Sequence, residues 1–349
     1  MKIIFKLKKY IKNKVFYKMP EPLFYKKKNL FKNQLAGNYK FKIASFGNLN
    51  KDKVFYVIRR YPGAGFFSNF IFILNHIRIA ESLNAIPVVD MENFPTWYNE
   101  KKRIYNTCNA WEYYFKNLSN YKLKEVYKSK HVIFTSREFY EEFDVLPSKK
   151  NIDTYKKYIK IHPRHIIASN LYYKKNFKKT DKVLGVYLRG GEVKTAPRHP
   201  YPPTKKQVLY ALKKIMKNQN YNKIFLSTKE AEYINLIKNN FSQEIFVFNS
   251  YDSKFDIFQV YNRKNHRYLL GEEILREAIV LSKLDGLFFN LSNVVLGSQI
   301  LNINKKQKKY FIYNGYNFKN RILANYSWKI KSILPEYFGG FSKDILKKI

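Results

Sequence analysis

One arginine stands at a place where chemistry can be done. Arg189 follows the apolar run Val183–Leu188 and is followed at once by Gly190 and Gly191. The apolar run reads as a buried strand. Two glycines after it allow a tight turn and a close approach of ligand to main chain. A guanidinium at the mouth of such a turn offers a planar fork of donors that suits a phosphate. Arg198-His199-Pro200-Tyr201-Pro202-Pro203 then forms a stiff basic loop before a helix pattern that begins at Thr204. Strand, arginine, glycine turn and helix are the parts that hold a nucleotide diphosphate at the carboxyl end of a parallel sheet. An arginine paired to a carboxylate near a helix end is the bland alternative.

Other residues can join it. Ser292 and Asn293 follow the apolar run Gly286–Asn290 and open a helix pattern. Capping and phosphate contact both fit these residue types. An acceptor hydroxyl needs a base. Glu192 is the acid nearest Arg189, and it fits equally as the partner that orients it. Asp90, at the end of the run Ala85–Asp90, is the second candidate. Gly63 and Gly65 let a second backbone turn form after Val54–Ile58, with Asn69 on the first helical turn beyond it. His199 flanks the arginine loop, as a ligand contact or as ordinary surface. The aromatic stretch Trp97–Phe115 can face sugar rings or pack a core.

The elements that must position these residues alternate between strand and helix. Val54–Ile58, Phe66–Leu83 and Ala85–Asp90 form a strand, helix and strand, and His131–Thr135 is a further short strand. The second half repeats the alternation: strands at Val183–Leu188, Lys223–Thr228, Glu244–Asn249, Gly286–Asn290 and Tyr310–Tyr313, with helices at Lys205–Lys217, Ala231–Phe241 and Gly271–Lys283. Tyr140–Asn170 reads as a helical connection. This pattern predicts an α/β protein with two Rossmann-like domains facing a cleft. The expected division is a basic leader over 1–40, an N-terminal acceptor domain over 41–175 and a C-terminal donor domain over 176–345.

Length and composition agree with two domains. The chain has 349 residues, 45% of them apolar. Its net charge of +40 comes mostly from lysines spread along the chain, with only 12 arginines among 66 basic residues. A nucleic-acid binder concentrates its charge in a patch or arm, so no nucleic-acid partner is expected. An anionic membrane surface is the expected polyanion. The leader MKIIFKLKKYIKNKVFYK fits an interfacial basic helix or an unstructured lysine-rich segment. It is too interrupted for a secretory signal, and no run of about 18 apolar residues spans a membrane. Cys108 is alone, which excludes an intramolecular disulfide and a cysteine metal cluster. The expected location is the cytoplasm, peripheral to the inner face of its membrane.

The order of these motifs resembles a family. Gly63-Ala64-Gly65-Phe66-Phe67-Ser68-Asn69, then Trp111-Glu112-Tyr113-Tyr114-Phe115 with Ser119, then Arg189 after its strand, then Phe225-Leu226-Ser227-Thr228, and then Leu275-Arg276-Glu277 through Ser292-Asn293 occur in sequence over about 55–300. This is similar to bacterial fucosyltransferase-like glycosyltransferases, related to the nodulation and core-type α1,6 fucosyltransferases and more distantly to protein O-fucosyltransferases. The resemblance implies the GT-B architecture and an inverting, metal-independent transfer with GDP-fucose as co-substrate and no cofactor. It implies that Arg189 contacts the β-phosphate, that Glu277 contacts the nucleoside, and that Tyr187, Gly190, Gly191, Ser292 and Asn293 belong to the donor site. A glycan or lipid-linked glycan would accept the sugar. The chain departs from the family at Tyr187, where the family has histidine, at Glu192, where it has aspartate, and at Gly190, where core-type enzymes have a second arginine. Val193–Pro197 holds no acid where those enzymes carry a catalytic carboxylate. Those departures leave room for another deoxysugar or a heptose as donor. A non-enzymatic polyanion binder is the reading from another class.

Overall fold

Short apolar runs with no polar face need cover on both sides, which a parallel sheet between helices provides. The computed structural model contains two such sheets and describes residues 42–60, 63–135, 145–248, 263–301 and 303–349. The expected leader lies outside the described residues. The chain divides into two compact units. One comprises Met1–Glu142, Ser148–Ile166 and Tyr251–Leu275; the other comprises Phe143–Pro147, Ile167–Ser250 and Arg276–Ile349.

The first unit carries four strands: β1 (Lys42–Ala44), β2 (Leu49–Ile58), β3 (Ile86–Val89) and β4 (Ser129–Phe134), in the order β1-β4-β2-β3. β2 runs parallel to both β3 and β4, and β1 closes the edge antiparallel to β4. Helix α1 (Phe66–Ser82) crosses from β2 to β3 and buries its first twelve residues without a break. Apolar side chains all round mark a helix with cover on every side. α2 (Leu123–Val126) is one turn, and α3 (Lys149–Tyr158) starts at the Ser148 cap. The aromatic stretch is core. Trp111, Tyr113, Tyr114 and Phe115 are all buried, and Trp111 stacks on Phe115 at 4.3 Å. The expected single helical connection is two helices instead, α3 and α4 (Pro163–Asn176). They are parted by an extended break at which Ile161 bridges Phe115. Pro163 removes an N–H that a continuous helix would need.

The second unit holds β5 (Val183–Tyr187), β6 (Lys223–Ser227), β7 (Glu244–Val247), β8 (Gly286–Asn290), β9 (Lys308–Ile312) and β10 (Leu346–Lys348). Between them run α5 (Lys205–Asn218), α6 (Ala231–Asn240), α7 (His266–Leu281), α8 (Asn293–Leu301) and α9 (Arg321–Ile333). The first residues of α7, through Leu275, and of α4, through Ile166, belong to the first unit. The sheet order is β10-β9-β8-β5-β6-β7, all parallel except β10. Read from β7, the chain order is 3-2-1-4-5-6, a doubly wound Rossmann order. Alternation sets the two faces. Leu184, Val186, Ile224, Leu226 and Phe288 pack with α5 and α6, whereas Val183, Phe225, Leu287 and Phe289 pack with Val280 and Leu281 of α7. A reciprocal capping box between Thr204 and Gln207 starts α5. Among the described residues no helix is long and apolar enough to cross a membrane.

Candidate active site

In a sheet of this order the connections after β5 and β8 leave in opposite directions. In open α/β sheets the carboxyl ends of two such strands are where ligands bind. The sequence sets its candidates there. β5 ends in Tyr187, and Leu188 continues the ladder by donating to the Ser227 carbonyl at 3.0 Å. The next residue is Arg189, half-buried.

Its backbone is held from the neighbouring strand. Asn290, the last residue of β8 and 3% exposed, accepts from Arg189 N at 2.9 Å and donates from Nδ2 to Arg189 O at 3.0 Å. Sequence reading missed Asn290. The signal was present, since an amide ends an otherwise apolar run, but its partner lies 101 residues away.

The glycine turn is the tight one expected, and a second reason for its glycines is steric. Gly191 adopts φ +50°, where side chains are strained. A Cβ on it would lie 2.4 Å from Glu230 Oε1, and a Cβ on Gly190 would lie 3.0 Å from Glu230 Cγ and 3.1 Å from the Tyr233 ring. The space the glycines leave open is filled by the Glu230 carboxylate. Glu230 stands at the N-cap position of α6, with no side-chain capping bond, and was not singled out in the sequence. Tyr233, behind it, donates to Pro203 O at 2.5 Å. Burial, with Glu230 and Glu232 nearby, holds its hydroxyl well above the ordinary range. Glu192 stands in the single turn Gly191–Lys194; its side chain lies outside the described residues.

On the β8 side, Ser292 precedes α8 and is 4% exposed. Its Oγ accepts from Val294 N at 3.2 Å and donates to Tyr187 Oη at 3.2 Å. Ser292 therefore caps, and also ties Tyr187 to the start of α8. Asn293 is the first residue of that helix, at its partially positive end.

Glu277 is buried. It faces the end of β6, where Ser227 Oγ donates to its Oε1, and the two residues are 9% and 1% exposed. His199 lies on a separate loop, which pairs with the segment after β9: Asn317 N donates to His199 O at 2.8 Å, and Tyr201 N donates to Gly315 O at 2.9 Å. Arg198, beside it, has φ +61°.

The remaining candidates belong to the first unit. Gly63 turns at φ +81°, and Asn69 clamps the loop, accepting from Ala64 N at 2.9 Å and donating to Ala64 O at 3.1 Å. A Cβ on Gly63 would strike that amide at 3.0 Å, whereas Gly65 has open space. Asp90 needs correcting as a base. It is fully buried, and its carboxylate accepts from Glu92 N, Asn93 N, Asn93 Nδ2 and Tyr127 Oη at 2.6–3.1 Å. Burial raises its pKa despite those donors. Both oxygens are committed, Oδ1 to the turn after β3 and Oδ2 to Asn93 and Tyr127.

Tyr187, Arg189, Gly190, Gly191, Ser292 and Asn293 are thus gathered at the β5/β8 switch point, and Glu277 stands at the adjacent strand end. An arginine, a helix N-terminus and a carboxylate next to a glycine turn can bind a diphosphate and shift a proton.

No family model and no curated protein matches the chain. Solved structures to which it is similar include a NodZ α-1,6-fucosyltransferase co-crystallised with GDP, at TM-score 0.49 and 14% identity over 74% of this chain and 95% of that one. The fucosyltransferase NodZ from Bradyrhizobium gives TM-score 0.48 and 14% identity over 74% and 96%. A substituted form of Arabidopsis thaliana FUT1 in complex with GDP gives TM-score 0.43 and 12% identity over 91% and 79%.

Proposed function

We propose that the chain is an inverting, metal-independent glycosyltransferase. It moves fucose from GDP-fucose onto a bacterial surface glycan, lipopolysaccharide, lipooligosaccharide or capsule, at the inner face of the cytoplasmic membrane. The observation that carries the proposal is the hold of Asn290 on the Arg189 backbone at the switch point where α8 also begins. Loss of the sugar leaves negative charge on the departing diphosphate. A guanidinium and a helix N-terminus brought to that point stabilise such charge as it develops. The acceptor oxygen attacks the anomeric carbon as the bond to the β-phosphate oxygen breaks. GDP leaves with the electron pair, and a carboxylate takes the hydroxyl proton. That carboxylate is Glu192, in the turn after Gly191, or Glu230, whose carboxylate lies against Gly191.

A second donor reading has its own support. Core-type enzymes place a second arginine where this chain has Gly190, and Glu230 and Tyr233 fill that space. One phosphate contact fewer, with Tyr187 in place of histidine, suits another deoxysugar or a heptose. The polyanion reading is separated by charge: it predicts salt-sensitive binding to any nucleic acid, unaffected by Arg189→Ala.

A panel of GDP-, UDP-, ADP- and dTDP-sugars, followed by thermal shift and then by transfer assays in EDTA, tests the proposal. GDP-fucose should stabilise the protein and support turnover with the chelator present. Arg189→Ala should remove turnover and leave the fold intact. Indifference to every GDP-sugar overturns the proposal, and a requirement for a divalent cation overturns its metal-free part.

A further inference from the structure

Helix α9 is amphipathic in the wrong sense for a core helix. At about 100° per residue, Ala324, Ser327 and the half-buried Trp328 share one stripe, and this is the face that packs inward. Ile322, Tyr326, Ile330 and Ile333 share the opposite stripe and are 69%, 62%, 54% and 74% exposed. The chain just beyond exposes two more aromatic side chains, Tyr337 and Phe338, at 81% and 62%. An exposed apolar stripe of this kind marks an interaction site.

The helix is firmly held. Asn320 caps it, accepting from Ile322 N at 2.8 Å and Leu323 N at 3.3 Å. Ser327 Oγ donates to Asn317 Oδ1 at 2.6 Å, and Trp328 Nε1 donates to Pro202 O at 2.8 Å. The apolar stripe is thus displayed on a rigid element.

Charge selects the occupant. Lys319, Arg321 and Lys329 are exposed beside the stripe, and Glu336 is the one acid in 319–338. A second copy of a chain with net charge +40 would be repelled from such a face. An anionic bilayer surface satisfies both features, with isoleucines entering the acyl boundary, tyrosines at the headgroup level and cations against the headgroups. We propose that the outer face of α9, with Tyr337 and Phe338, is a docking surface for an anionic lipid bilayer. This inference stands apart from the donor chemistry, because it concerns a surface and not the switch point.

Flotation of the full chain with vesicles, without any nucleotide sugar, tests it. Vesicles of phosphatidylcholine with about one third phosphatidylglycerol should carry the protein, and phosphatidylcholine alone should carry far less. Ile322→Asn/Ile330→Asn/Ile333→Asn should weaken binding to anionic vesicles by roughly tenfold or more, with melting temperature and sedimentation unchanged because the three side chains are exposed. Lys319→Glu/Lys329→Glu should weaken it too and should flatten its salt dependence. Vesicle binding by the isoleucine variant equal to wild type overturns the proposal, as does wild-type self-association that the variant abolishes.

Discussion

The side-chain amide of Asn290 grips both polar groups of the Arg189 backbone, as a neighbouring strand residue would. β5 and β8 therefore stay joined one step past the end of their ladder, where the switch point would otherwise part them. Asn290→Asp tests that grip at nearly constant volume. It replaces the donor facing Arg189 O with an acceptor in a buried site. A lost buried hydrogen bond with an unsatisfied group costs about 1–3 kcal/mol. The expected outcome is a fall in stability of that order by urea unfolding. Donor turnover should fall further than stability alone accounts for, since the guanidinium rides on the displaced peptide. An unchanged kcat/KM would separate Asn290 from the site.

Gly191 and Glu230 compete for one volume. Gly191→Ala must strain a left-handed residue and displace the carboxylate from 2.4 Å. The backbone part costs about 1–2 kcal/mol. The variant should be less stable by at least that amount and should bind donor more weakly. In the Glu230→Ala background the steric part disappears, so the two changes should be non-additive in a double-mutant cycle. Strict additivity would show that the two residues do not interact.

Elements were legible in this sequence where one local pattern decides. β5, β8 and α5 lie within a residue or so of the expected bounds, because an apolar run or a capped amphipathic period needs no knowledge of its neighbours. The role of Arg189 as the residue that leaves β5 was legible for the same reason. What was not legible depends on strand order. Nothing local says that β8 pairs with β5, so Asn290 was invisible as a partner of Arg189. Glu230 was hidden likewise, since its carboxylate meets glycines 39 and 40 residues earlier in the chain. Glu277 was singled out through the family resemblance alone, since only the packing of α7 against the end of β6 buries it. Helix α9 was not expected at all, because its apolar period points away from the core.

The contact of Ser227 with Glu277 bears on nucleoside choice. A buried carboxylate beside a strand end can accept the paired N–H groups that guanine presents on one edge, which adenine and uracil lack in that arrangement. Glu277→Gln keeps the volume and turns one acceptor into a donor. Under the proposed function, GDP affinity should fall by roughly one to two orders of magnitude, as expected for a lost charge-assisted pair. ADP and UDP affinities should move far less. Calorimetric titration with the three diphosphates reads the difference; an equal loss for all three would assign Glu277 to structure.

His76 sets a pH limit on the first unit. Its ring is fully buried on α1, with Nδ1 2.9 Å from Tyr56 Oη and the Phe72 ring centroid at 4.2 Å. Burial, helped by the Arg60 charge, pushes its pKa from the ordinary 6.5 down to about 3. The folded state holds the neutral ring while the unfolded chain takes up a proton below about 6.5. The stabilisation is therefore complete above that value and is lost progressively as pH falls towards about 3. Between about pH 7.5 and 5 the loss from this one group is about 2 kcal/mol. His76→Gln leaves an acceptor for Tyr56 Oη and removes the titration. Urea unfolding at the two pH values should show a wild-type decline that exceeds the variant's by about that amount; parallel declines would mean that the buried ring is protonated without penalty.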